Sequence, residues 1–100
     1  MSNEKRDFDK EAAAWDENPA RVKLADEVFA AIVRQVSPDD GMTALDFGCG
    51  TGLLTLALRP FVGSVTGGDS SQGMLDVLRR KISDQGLANV MARHLDWDRG

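Results

Sequence analysis

The chain holds one cysteine, Cys49, and one histidine, His94. A single thiol excludes an internal disulfide and any cysteine-based zinc cluster, and fits a reducing cytoplasm. It also leaves no Cys–His pair close in sequence for nucleophilic catalysis, so neither a metal centre nor a thiol nucleophile is expected. No run approaches the ~18 consecutive apolar residues of a membrane-spanning helix. The opening Ser2-Asn3-Glu4-Lys5-Arg6-Asp7 is polar and charged, without the apolar core of a secretory signal. Basic clusters are scarce: net charge is −4, and the longest cluster is Arg79-Arg80-Lys81. On an expected helix that triplet reads as a solvated face rather than a nucleic-acid patch. These absences leave the expectation of a cytoplasmic protein with no membrane span and no nucleic-acid partner.

What is present describes an ordinary globular domain, with 42% apolar and 28% charged residues. Repeats and low-complexity linkers are lacking, so residues 1–100 are expected to form one domain, a helical lead over 1–40 and a β-α-β-α-β unit over 41–100. Phe8, Ala12 and Trp15 have helical spacing. Asn18-Pro19 reads as an N-cap with proline at the first helical position. Ala25, Val28, Phe29, Ile32, Val33 and Val36 then form one face of a longer helix that stops before Ser37-Pro38. After the Asp39-Asp40-Gly41 turn comes a first strand at Thr43–Phe47. The next helix, ending at Arg59-Pro60, is apolar nearly all round and should be buried on a sheet. Ser64–Asp69 reads as a second strand. Met74, Leu75, Leu78 and Ile82 mark a further helix ended by Gly86, and Ala88–His94 a third strand. Crossovers of this kind imply an α/β fold, a Rossmann-like parallel sheet with helices on both faces.

The chemistry concentrates at Ala44-Leu45-Asp46-Phe47-Gly48-Cys49-Gly50-Thr51-Gly52. A strand ends in an acid, a turn carries glycine at every second position, and a helix follows at once. Gly48, Gly50 and Gly52 lack Cβ, so the backbone can turn sharply and approach a ligand closely. The first N–H groups of the helix are expected to face that ligand. A dinucleotide fold wants Gly-x-Gly-x-x-Gly. Counted from Gly48 or Gly50, its third glycine falls on Leu53 or Thr55, so that register fails. Asp46 at the turn repels a phosphate and suits an ammonium or sulfonium. Within this turn Cys49 reads as a small packing residue. Asp69 lies 17 positions beyond Gly52, near the ~20-residue offset at which a carboxylate accepts from ribose hydroxyls. The plainer reading of Asp69 is a strand-end turn residue, with Ser70 or Ser71 as the next helix's N-cap.

Asp-x-Gly-x-Gly-x-Gly resembles motif I of the class I S-adenosylmethionine (SAM) dependent methyltransferases. The segment Asp69-Ser70-Ser71-Gln72-Gly73-Met74-Leu75 resembles the family's stretch after its second strand, an acid followed by Ser and a Met-Leu pair. The likeness spans roughly residues 8 to 98 and is most specific at the glycine turn with Asp46 and Asp69. It implies that Asp46, Gly48, Cys49, Gly50, Thr51 and Gly52 line the methionine portion of SAM. It further implies that Asp69, Ser70 and Met74 lie at the ribose. Asp96 would accept from the adenine amino group, with Trp97 along the ring. An acidic loop with a tucked Trp is the plainer reading of that last pair. Trp15, before a Pro-started helix, looks like part of the helical prelude that closes over SAM. Trp15 or Arg21 is thereby a candidate for the methionine end, although a Trp at helical spacing is more commonly core.

The resemblance also implies what is missing. The family's sheet has seven strands with the first in the middle, and this chain supplies the N-terminal three. The free side of Thr43–Phe47 then lacks its neighbour, an exposed edge prone to mispairing. Either the protein continues past Gly100 or a second copy completes the sheet as a homodimer, and continuation is the reading favoured. The implied function is methyl transfer from SAM to a small-molecule acceptor, yielding S-adenosylhomocysteine (SAH). This chain would carry the cofactor-binding half and be inactive alone. No residue of it can be named as the catalytic base. Two rivals remain: a non-catalytic module that binds a partner through the open edge, and, disfavoured by the glycine register, an NAD-dependent oxidoreductase.

Overall fold

A computed structural model describes residues 8–96. Helix α1 (Phe8–Glu11) continues into a 3₁₀ segment (Ala12–Glu17), and α2 spans Pro19–Val36. Strand β1 (Thr43–Phe47), helix α3 (Leu53–Leu58), a 3₁₀ turn (Arg59–Phe61), β2 (Ser64–Asp69), α4 (Gln72–Gln85) and β3 (Val90–His94) follow. Each boundary has a local cause. The Asn18 side chain accepts the Ala20 N–H at 2.9 Å and Pro19 opens α2. Ser37, at φ 54°, ends that helix just before Pro38. Ser71, not Ser70, caps α4 by accepting the Met74 N–H at 3.2 Å, and Gly86 closes it in the left-handed conformation.

The three strands run parallel in the order β1-β2-β3. Register pairs Asp46 with Gly67, and Asp69 with His94. The C-terminal ends of all three strands therefore share one rim, where open α/β sheets hold their ligands.

The core lies between the sheet and α3 and α4. Val62, Val65 and Val90 are buried together, and Met74, Leu75 and Leu78 of α4 are at most 2% exposed. Gly67 lets the helices approach, for a Cβ there would stand 2.9 Å from Cys49 Sγ and 3.0 Å from both Leu78 and Thr55.

Two sequence expectations are corrected, those on the Phe8–Trp15 helix and on the second face of the sheet. The Phe8–Trp15 stretch is not one helix, because it tightens into 3₁₀ geometry at Ala12. Helix α2 is amphipathic as its spacing predicts, yet none of its residues is buried. It rests on α3 and, through a tilted Phe29–Phe61 ring contact at 5.5 Å, on the turn after α3, leaving Val28, Val33 and Val36 exposed. Helices cover one face of the sheet, not both, among the described residues. On the other face Leu45, Phe47 and Met91 are 55%, 66% and 60% exposed. An open depression of about 300 Å³ lies there, bounded by Leu45, Phe47, Thr66, Gly68, Arg93 and Leu95.

Candidate cofactor site

The glycine turn joins β1 to α3 at the strand-end rim, and its conformation demands its composition. Gly48, Gly50 and Gly52 have φ of 68°, 58° and 89°, the left-handed region that costs a side-chain-bearing residue about 1 kcal/mol or more. Around Gly48 a Cβ would meet no protein atom within 4 Å, so that side of the turn is open space. Beneath it, Gly52 meets Leu78 so closely that no Cβ fits.

Backbone bonds wire the turn to β2. The Gly48 and Cys49 N–H groups both donate to the Gly68 carbonyl, at 2.7 and 3.0 Å. The Gly50 N–H donates to Asp69 Oδ2 at 2.8 Å, while Asp69 Oδ1 accepts from the Ser71 N–H at 2.9 Å. With the Gly52 N–H, which donates to the Cys49 carbonyl at 3.0 Å, four turn donors are thus spent inside the protein. Each Asp69 oxygen keeps a second lone pair.

Asp46 lies on the helix-covered face and accepts the Thr55 hydroxyl at 2.7 Å. Burial pushes its carboxyl above the usual range and the Asp69 charge adds to this, while the Thr55 hydrogen bond opposes. Cys49 is pushed up to about 12 by burial first and then by the Asp46 and Asp69 charges. Its thiol donates to the Gly50 carbonyl at 3.4 Å, and it is an inert packing group at neutral pH.

A match to the methyltransferase domain family model runs over residues 44–99, more than half of the sequence. The chain belongs to that family. It is 49% identical over 52 residues to an uncharacterised methyltransferase of Schizosaccharomyces pombe, covering 52% of this chain and 18% of the relative. To the demethylmenaquinone methyltransferase of Halalkalibacterium halodurans it is 37% identical over 65 residues, covering 62% and 26%. The solved structure of a SAM-dependent methyltransferase from Aquifex aeolicus superposes with a TM-score of 0.70 at 26% identity, covering 88% of this chain and 47% of that one. The chain therefore spans less than half the length of these methyltransferases.

Within this methyltransferase domain, the residues singled out from sequence fall in three groups. Asp46, Gly48, Cys49, Gly50, Thr51, Gly52 and Asp69 come together at the rim. Ser70 and Met74 flank them: Ser70 is exposed, with its carbonyl 3.1 Å from His94 Nε2, and Met74 is 2% exposed beneath the turn. Met74 Sδ would lie 3.8 Å from a Cβ on Gly50, so Met74 supports the turn from below. Asp96 is exposed two residues past β3, and Trp97 lies outside the described residues.

Sequence reasoning missed Thr55, Asp16 and Lys81. Thr55 is 0% exposed, and its signal was a lone polar residue inside Leu53-Leu54-Thr55-Leu56. Lys81 departs from the solvated face expected for Arg79-Arg80-Lys81. Its side chain is 20% exposed and reaches Asp16 Oδ2 at 2.6 Å and the Thr51 carbonyl at 2.9 Å. No local pattern marks that contact.

Proposed function

We propose that this chain binds SAM at the glycine turn and forms the cofactor-binding part of an enzyme that methylates an acceptor, a small molecule on the present reading. The observation that carries the proposal is the turn itself, open at Gly48 and closed on Asp69 through Gly50, with Asp46 beside it. The donor set fits this cofactor. Two carboxylates at the rim disfavour a phosphate and suit a ligand with an ammonium, a sulfonium and ribose hydroxyls. Asp46 and the turn backbone are assigned to the methionine portion, Asp69 to the ribose hydroxyls, and Asp96 with Trp97 to the adenine. Ser70 and Met74 shape the edge and floor.

Bound SAM supplies an already activated methyl group. What the chain's residues contribute is placement, since a fixed donor converts an encounter between two molecules into a step within one complex. Residues that hold the acceptor and take its proton belong to sequence outside this chain, a reading supported by the greater length of the relatives. No helix among the described residues is long and apolar enough to cross a membrane.

Calorimetric titration with SAH tests the proposal, with NAD as control and Asp69→Ala as variant. Saturable SAH binding that the variant loses is the expected result. Binding of NAD in its place would overturn it.

A further inference from the structure

Asp16 and Lys81 belong to the 3₁₀ segment and to α4, and they meet beside the cofactor turn. Lys81 Nζ donates to Asp16 Oδ2 at 2.6 Å and to the Thr51 carbonyl at 2.9 Å. The Thr51 hydroxyl donates to the other carboxylate oxygen, Asp16 Oδ1. Both oxygens of one carboxylate are thus engaged, one by a cation and one by a hydroxyl. Thr51 is 1% exposed, and the Lys81 and Asp16 side chains are 20% and 35% exposed. This setting favours charge-assisted bonds over the weak, screened pairs of an open surface.

The cluster acts on the cofactor turn from two sides. Thr51 stands between Gly50 and Gly52, so fixing it fixes the turn. Asp16 follows Trp15, whose indole Nε1 lies 3.5 Å from where a Cβ on Gly50 would be. The Arg21 guanidinium stacks on the same ring, 3.3 Å from its centroid, and pairs with Glu11 at 3.7 Å. Segment Ala12–Glu17 therefore docks on the turn through an ionic anchor and an aromatic one.

We propose that Asp16, Thr51 and Lys81 form a latch that holds Trp15 against the glycine turn and couples docking of Ala12–Glu17 to cofactor binding. This rests on reading the turn as the SAM site. A ligand that fixes the turn presents Thr51 to Asp16, and a docked segment favours the ligand by the same factor, because coupling is reciprocal. Asp16 and Lys81 are positioning residues; they act on the cofactor through Thr51 and Trp15.

The test combines SAH affinity by calorimetry with acrylamide quenching of Trp15, read as the part of the emission that a Trp15→Phe control lacks, so that Trp97 stays in place. Lys81→Met is expected to raise the Kd for SAH about tenfold, as for loss of one charge-assisted contact. It should also leave Trp15 open to quencher with or without SAH, whereas SAH protects Trp15 in the parent chain. Lys81→Arg restores both properties. Asp16→Asn, outside the sheet core, repeats the test should Lys81→Met fail to fold. Unchanged SAH affinity or unchanged Trp15 protection in these variants overturns the latch alone. A parent chain that binds no SAH overturns the cofactor reading, and the coupling with it.

Discussion

The Asp69 carboxylate, at the end of β2, accepts the Gly50 N–H at 2.8 Å from nineteen residues earlier in the chain. One side chain thus ties the glycine turn to the neighbouring strand while keeping lone pairs for a ligand. Asp69→Ala removes this tie, the bond from the Ser71 N–H and the proposed ribose contact together. SAH affinity is expected to fall on the order of a hundredfold, as for loss of two charge-assisted bonds. Asp69→Asn keeps one acceptor and should fall between. Titration calorimetry on the three chains gives the order, and an Asp69→Ala chain that binds like the parent removes Asp69 from the site.

Asp46 gives a pH signature. Its folded carboxyl sits above the ordinary value of 3.8, chiefly through burial. The folded state then holds this proton more tightly than the unfolded one. Its stabilising contribution is complete below about pH 4 and is lost as pH rises through the raised value. As pH rises above about 4, Asp46→Asn should gain thermal stability relative to the parent, the gap widening while the parent's carboxyl ionises, and should bind SAH more weakly. Melting curves across that range check the sign; a gap that narrows as pH rises contradicts the account.

Thr55→Val separates two roles of one hydroxyl. The Thr55 Oγ1–Asp46 Oδ2 bond of 2.7 Å is the one contact that opposes the upward push on Asp46. Without it the Asp46 carboxyl should titrate higher still, as read by carboxyl carbon-13 shifts in a labelled chain. An unmoved titration would show that burial and the Asp69 charge set Asp46 without help from Thr55.

Cys49 should be nearly silent to alkylation while folded. With its thiol pushed up to about 12, the thiolate at pH 8 is about a thousandfold scarcer than for an ordinary thiol at 9.0. Iodoacetamide labelling should be slow in buffer and fast in denaturant. Equal rates in both would argue that the turn opens freely.

The uncovered sheet face predicts self-association. Leu45 and Phe47 stand more than half exposed on an edge strand, and exposed apolar edges promote pairing between chains. Leu45→Lys with Phe47→Ser should lower light scattering at high concentration without lowering the melting temperature, since neither side chain is buried. In the core the opposite holds: Leu78→Ala, at 0% exposure, should cost about 2–5 kcal/mol.

Much of this was legible along the chain. Strands β1 and β2, the start and stop of α2, the Gly86 stop of α4 and the glycine turn follow from short-range rules. Proline at a helix start, glycine where φ is positive and alternation in a strand are all properties of a few adjacent residues. The Asp46, turn and Asp69 set was readable too, because a crossover connection returns the chain to the same rim after a fixed length. The 3₁₀ tightening at Ala12 was not, since the helical spacing of Phe8, Ala12 and Trp15 does not distinguish the two helix types.

By itself the sequence determined an α/β crossover and the candidate site on it, since the glycine turn and its flanking acids are encoded locally. Only the tertiary structure decided that Lys81 leaves its basic triplet to bind Asp16 and Thr51, that Thr55 braces Asp46, and that one sheet face stands open. These depend on which elements pack together. Packing is set by distances between residues tens of positions apart, and no periodicity along the chain records it.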